Sequence, residues 1–215
     1  MKLGRRMMAV VSIVVIAASA MVIALRQFNR NDTVNLDPFA VAGEVMADET
    51  RALLGGRGQV VVVTCDTAKA AMPIATAQQK AFQEQLKRQG GITVAAVEAL
   101  QVNPSPGMAV WSGTQYRQLL ERHAGVDAII SFLGPPLFTE AEINHLPAKL
   151  PRGLVIGGGS PGQPLRGLFE RGVIQVAVVP RLTPPVSGSA PPTGPEQFAQ
   201  QFQVVRTDTA GTLRY

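Results

Sequence analysis

Residues 157 to 162 read GGGSPG and carry two spacings that could do chemistry. Gly157, Gly159 and Gly162 have the G-x-G-x-x-G spacing of a turn that brings a pyrophosphate to a helix start. Gly158, Ser160 and Gly162 have the G-x-S-x-G spacing of a nucleophile elbow. The first template needs a helix that opens at the second glycine, so that fresh backbone N–H groups meet the phosphate. Pro164 would fall inside that helix, where it offers no N–H and clashes with the preceding turn. The helix is therefore expected to begin at Pro164, and the acidic residue required after the next strand is replaced by Pro180 and Arg181. The second template needs the residue after the serine to donate its N–H to an oxyanion, and here that residue is Pro161, which has none. No histidine follows His145 to complete the downstream order of such a triad. Neither template is chemically complete. The glycines read instead as a means of leaving a strand in conformations closed to other residues.

Other chemistry is sparse. The single cysteine, Cys65, excludes an intramolecular disulfide and a multi-cysteine zinc site, and burial at the end of an apolar strand is its expected fate. His123 and His145 lack metal or triad spacing and read as helix-surface residues. No catalytic residue, metal or cofactor is expected. What remains is the rim formed by the carboxyl ends of strands, where open α/β sheets bind ligands. The rim candidates are Asp66 and Thr67 after the first strand, Phe132 and Gly134 at the carboxyl end of the third, Ser160 after the fourth and Arg181 after the fifth. Arg181 suits an anionic ligand. Asp66 also reads as an ordinary turn or capping residue and Arg181 as a solvated cation, the commoner fates of these types.

The elements that must position this rim alternate along the chain. Asp37 as N-cap and Pro38 as first helical position open a helix that Gly55-Gly56 stops. QVVVVTC at 59 to 65 is a buried-type strand. The spacing predicts a helix over 73 to 89 and a strand, ITVAAVEAL, over 92 to 100, followed by a loop containing Pro104, Pro106 and Gly107. Ser112 and Gln115 form a capping box before a helix whose face carries Tyr116, Leu119, Leu120 and His123. VDAIISFL at 126 to 133 is the third strand, and Thr139 and Glu142 form a second capping box whose helix runs toward Pro147. GLVIG, a helix over Leu165 to Arg171 and VIQVAVV at 173 to 179 follow. TPPVSGSAPPTGP at 183 to 195 is an extended loop, and QFAQQFQVVRTD supplies a short helix and a last edge strand. Unbroken β-branched runs separated by helices predict a three-layer α/β fold of Rossmann or flavodoxin-like type, with a mostly parallel sheet of five or six strands.

The N-terminus sets the expected compartment. MKLGRR is followed by nineteen residues, 7 to 25, without charge or proline. As a helix they reach about 28 Å, close to the hydrocarbon thickness of a bilayer. Lys2, Arg5 and Arg6 precede the segment, which predicts a cytoplasmic N-terminus and an exported remainder, periplasmic or extracellular, anchored in the inner membrane. The rival is secretion after cleavage near Ala20, where Ala18-Ser19-Ala20 has the small-x-small pattern. The apolar run continues to Leu25, which favours the uncleaved anchor. The organisation expected is a basic terminus over 1–6, an anchor over 7–25, a tether and membrane-proximal helix over 26–57, an α/β domain over 58–182, a Pro/Gly-rich loop over 183–195 and a helix, edge strand and tail over 196–215.

Charge argues against nucleic acid as a partner. The chain carries a formal +5, but past residue 25 there are 17 Lys and Arg against 15 Asp and Glu, scattered and without interleaved aromatics.

GVDAIISFLGPPL at 125 to 137, LPRGLVIGGG at 150 to 159 and GVIQVAVVPR at 172 to 181 together resemble the strand-helix-strand text of one lobe of a type I periplasmic-binding protein. The resemblance covers residues 58 to 207. It implies a Rossmann-like lobe that binds a small polar ligand on its strand ends and does no covalent chemistry. That family uses two lobes, whereas this chain has length for one, so a lobe that pairs with a membrane-protein partner or forms a homo-oligomer is implied. The expected function is a noncatalytic, membrane-anchored binding or accessory module of a transport system. The alternative is a structural component of an envelope assembly that uses the same domain for protein contacts.

Overall fold

The structure is a computed structural model and describes residues 35–66, 73–101, 103–105, 108–157, 165–181 and 193–212. Leu36–Tyr215 forms one compact unit.

Helix α1 spans Asp37–Leu54. Leu36 stands at its cap position in place of the expected Asp37, which is already helical; Pro38 lies in its first turn, and Gly55 ends it with φ 66. The N–H of Gly56 returns to the carbonyl of Arg51 at 2.9 Å, closing the helix as the sequence predicts. Strand β1 (Gly58–Cys65), helix α2 (Pro73–Gln89) and strand β2 (Ile92–Leu100) follow. Then come two short strands, β3 (Asn103–Ser105) and β4 (Met108–Val110), paired antiparallel where a simple loop is expected. Helix α3 covers Gly113–Arg122, β5 Ala128–Ser131, α4 Glu140–Asn144 and β6 Arg152–Ile156. Helix α5 (Leu165–Glu170), β7 (Val176–Pro180), α6 (Gly194–Gln201) and β8 (Phe202–Arg206) complete the order. Both predicted capping boxes form. Ser112 accepts from the N–H of Gln115, and Thr139 from that of Glu142, each at 3.2 Å.

The main sheet has six strands in the order β2-β1-β5-β6-β7-β8. All neighbouring pairs are parallel except β7 with β8, which is antiparallel. The alternating side chains of a pleated strand divide the core into two layers. Val61, Val63, Ile129, Val155, Ala177 and Val179 face one way, toward Tyr116, Leu119, Leu165 and Leu168. Val60, Val62, Ile130, Leu154 and Val178 face the other way, toward Ala42, Met46, Phe82 and Leu86. Helices α1 and α2 therefore cover one face and α3 and α5 the other, giving the three layers expected of a doubly covered parallel sheet.

Helix α1, grouped with the tether in the sequence reading, lies on this sheet. Ala42, Met46 and Ala47 are fully buried. Gly43 lets the two helices meet, since a Cβ there would overlap the carbonyl oxygen of Gln78. Among the described residues no helix is long and apolar enough to cross a membrane. The expected anchor, residues 7–25, lies outside the described residues, as does most of the Pro/Gly-rich loop.

Candidate functional site

Strand order locates the candidate site. From β1 the chain passes through α2 to β2 on one side, then crosses to β5 on the other side of β1. The connections thus leave in opposite directions, with α2 over one face and α3 over the other. Such a reversal opens a crevice outside the carboxyl ends of the two strands, here between β1 and β5.

Asp66 follows β1 directly. It is half-buried, and its N–H donates to the carbonyl of Leu100 at 3.1 Å, tying the end of β1 to the end of β2. Phe132 follows β5, but its ring is turned into the core at 5% exposure and meets Phe82 edge-on at 5.6 Å. Phe132 shapes the floor from beneath.

Gly134 is the pivot of the segment after β5, with φ 78, a conformation that favours glycine. Its carbonyl accepts the hydroxyl of Ser131 at 2.7 Å and the indole N–H of Trp111 at 3.0 Å. Gly157, at the end of β6, has φ 122, and a Cβ there would stand 3.5 Å from the Cα of Gly134. Two glycine backbones therefore lie together at the carboxyl ends of β5 and β6. The Gly157 conformation bears out the sequence reading of how the chain leaves that strand. Thr67 and Ser160 lie outside the described residues.

Arg181 stands at the carboxyl end of β7, on the rim where the sequence places it. Its Nε donates to the carbonyls of Ala199 and Phe202 at 2.8 and 2.9 Å, and its backbone N–H to that of Gln201 at 2.7 Å. These bonds fasten the junction of α6 and β8. The structure thus brings Asp66, Phe132 and Gly134 to the β1/β5 end of the rim and sets Arg181 two strands beyond β5.

Three contributors escape the sequence reading. Trp111 is 1% exposed, and besides its bond to Gly134 its ring lies 5.9 Å from that of Tyr116. Ser131, also buried, accepts the N–H of Leu133 at 3.2 Å while donating to Gly134. Leu137 pairs with the start of α3, its N–H donating to Trp111 at 2.8 Å and its carbonyl accepting from Gly113 at 2.6 Å. The signal available in sequence was the lone Trp of the chain, placed just before a capping box. Its bonding partner is 23 residues away, which no local pattern reveals.

The two histidines serve local structure. His123 Nε2 lies 2.6 Å from Glu98 Oε1, and His145 Nδ1 lies 2.6 Å from the carbonyl of Ala141. Among the described residues no group of three His, Cys, Asp or Glu is placed to hold a metal ion. A hollow lined by Asp48, Arg51, Gly55 and Gly56 lies at the other end of the sheet, beside the start of β1. Its Arg51 donates to the carbonyls of Gln89 and Gly90 at 3.0 and 3.1 Å, closing the end of α2. That hollow is a helix-end junction. At the opposite end of the sheet, Asp66 follows β1 and Gly134 lies beyond β5.

No protein-family model matches the chain, and no curated protein matches its sequence. Solved structures do match. A sugar ABC transporter sugar-binding protein from Bacillus halodurans aligns with TM-score 0.56 and 16% identity, over 82% of this chain and 64% of that one. AraP, an arabinose binding protein from Geobacillus stearothermophilus, aligns with TM-score 0.56 and 17% identity, over 82% and 63%. A XylFII–LytSN complex aligns with TM-score 0.54 and 11% identity, over 80% and 60%. The chain therefore spans less than two thirds of each of these proteins. At such identities the likeness concerns the fold, which is periplasmic-binding-protein-like of type I at the level of a lobe, as the sequence resemblance implies.

Proposed function

We propose that this protein is a membrane-anchored, extracytoplasmic α/β module that binds a small uncharged polar ligand, a sugar first among candidates, and serves an uptake system without catalysing a reaction. The observation that carries the reading is the topological reversal between β1 and β5, with Asp66 and Gly134 following the carboxyl ends of these two strands. A carboxylate and main-chain groups at strand ends suit a hydroxylated ligand, whose O–H groups donate to the acid and whose oxygens accept from main-chain N–H groups. The solved structures that share the fold include sugar-binding and arabinose-binding proteins, which supports the choice of sugar. The apolar segment 7–25 with its leading Lys2, Arg5 and Arg6 supports the anchor and the export of the domain.

Binding is tested on the full chain in detergent, by calorimetric titration with arabinose, xylose, glucose and galactose in turn. Saturable heat with one or more of these sugars, lost in Asp66→Asn, is the expected result. Absence of heat with all four, together with no small-molecule adduct in native mass spectrometry, would shift the role to assembly with other envelope proteins. Alkaline phosphatase fused after Tyr215 is expected to be active in cells, and an inactive fusion would reject export.

A further inference from the structure

Resting on the proposed function, we infer that the main-chain N–H of Gly134 is a hydrogen-bond donor to the ligand at the carboxyl ends of β5 and β6, and that Ser131 and Trp111 are the positioning residues that hold it there.

Every other main-chain donor from Phe132 to Leu137 is engaged within the chain. The N–H of Phe132 donates to the carbonyl of Val63 at 3.0 Å, and that of Leu133 to the hydroxyl of Ser131 at 3.2 Å. Pro135 and Pro136 have no N–H to place. The N–H of Leu137 donates to the carbonyl of Trp111 at 2.8 Å. Among the described residues the N–H of Gly134 has no acceptor, although the residue is buried. A buried main-chain donor is seldom left in that state, since it gives up its water and gains no partner.

The carbonyl of the same residue is the opposite case. It takes two buried donors, Ser131 Oγ at 2.7 Å and Trp111 Nε1 at 3.0 Å, which occupy both of its lone pairs. Ser131 also accepts from Leu133 two residues on, so one hydroxyl closes the turn from both sides. Pinned by its carbonyl at φ 78 and followed by proline, Gly134 holds its N–H in a fixed direction. Beside that nitrogen stands Gly157, where a Cβ would lie 3.8 Å from it. Glycine at 157 keeps this space free of a side chain.

The ligand group that fits is a neutral oxygen, a hydroxyl or ring oxygen of the sugar. It needs one donor and no cation. Arg181, the rim cation of the sequence reading, lies two strands beyond β5 with its Nε given to the carbonyls of Ala199 and Phe202.

The test uses the full chain in detergent, labelled with carbonyl-13C leucine and 15N glycine. Leu3–Gly4, Leu54–Gly55 and Leu133–Gly134 are its Leu–Gly pairs, so the nuclear magnetic resonance signal that disappears in Leu133→Ile belongs to Gly134. Arabinose, xylose, glucose and galactose are added in turn. A saturable shift of that signal, with the midpoint of the titration heat and with the other two signals unmoved, is expected. Ser131→Ala is expected to weaken binding about tenfold, the order of one lost hydrogen bond, and Ser131→Thr, which keeps the hydroxyl, to restore it. Saturable heat without movement of the Gly134 signal would overturn the inference and leave the proposed function standing. Neither heat nor shift with any of the four sugars would overturn both. Wild-type affinity in Ser131→Ala would overturn the positioning role.

Discussion

The indole N–H of Trp111 donates to the carbonyl of Gly134 across 3.0 Å, joining the start of α3 to the segment that leaves β5. Both groups are buried, so the bond forms where water does not compete for either partner. Trp111→Phe keeps most of the ring and removes the donor, leaving Ser131 as the remaining donor to Gly134. A loss of about 1 kcal/mol is expected in urea unfolding, the usual net value of one such bond. Hydrogen exchange should rise at 132–137 before it rises in β5. An unchanged midpoint and exchange pattern would show that this bond does not hold the rim.

Gly43 sets two effects against each other. Alanine improves helix propensity by about 1 kcal/mol in α1. Its Cβ would overlap the Gln78 carbonyl oxygen, a backbone atom of α2 that cannot rotate aside. Overpacking of this kind costs about 1 to 3 kcal/mol, so the clash is expected to win, and Gly43→Ala should lower the unfolding midpoint. A stabilised Gly43→Ala would mean that α1 and α2 separate without loss.

Glu142 gives the fold an acid-sensitive joint. Its pKa is held below the ordinary glutamate value, first by the backbone N–H of Thr139, then by the hydroxyl of Thr114 and the hydroxyl of Thr139. Because the folded pKa is depressed, the stabilisation is present above the unfolded pKa and disappears as pH falls through the folded one. Unfolding midpoints measured from neutral to acid pH should fall in the wild type. In Glu142→Gln they should start lower at neutral pH and fall less. Parallel curves for the two proteins would assign the acid sensitivity to other carboxylates.

Tyr116 is 2% exposed, and its hydroxyl has no hydrogen-bond partner among the described residues. Burial therefore raises its pKa well above the ordinary tyrosine value. Removing an unpaired buried hydroxyl relieves a desolvation penalty of about 1 kcal/mol or more, so Tyr116→Phe should match or exceed wild-type stability. Spectrophotometric titration should show this tyrosine un-ionised until the alkaline unfolding transition. A clear loss of stability in Tyr116→Phe would reveal a bonding partner for the hydroxyl.

How much of the architecture was legible depended on how local its causes are. Helix α2 and strand β2 occur over 73–89 and 92–100 as predicted, because Pro73, Gly90 and Gly91 mark their ends within the segment itself. Both capping boxes form for the same reason, since donor and acceptor lie three residues apart. The β3-β4 ribbon was hidden under Pro104, Pro106 and Gly107, which read as a loop. Its pairing depends on cross-strand register that composition does not reveal.

By itself the sequence determined the alternation of strands and helices, their caps, the mostly parallel sheet and the glycine exits from strands. These follow from side-chain periodicity and backbone stereochemistry within a few residues. Only the tertiary structure decided that β1 lies between β2 and β5, and so where the crevice opens. It also laid α1 on the sheet, turned Phe132 inward and committed Arg181 to the carbonyls of Ala199 and Phe202. Each of these is a choice among distant partners. Burial and hydrogen bonding settle such choices between groups that meet only once the chain has folded.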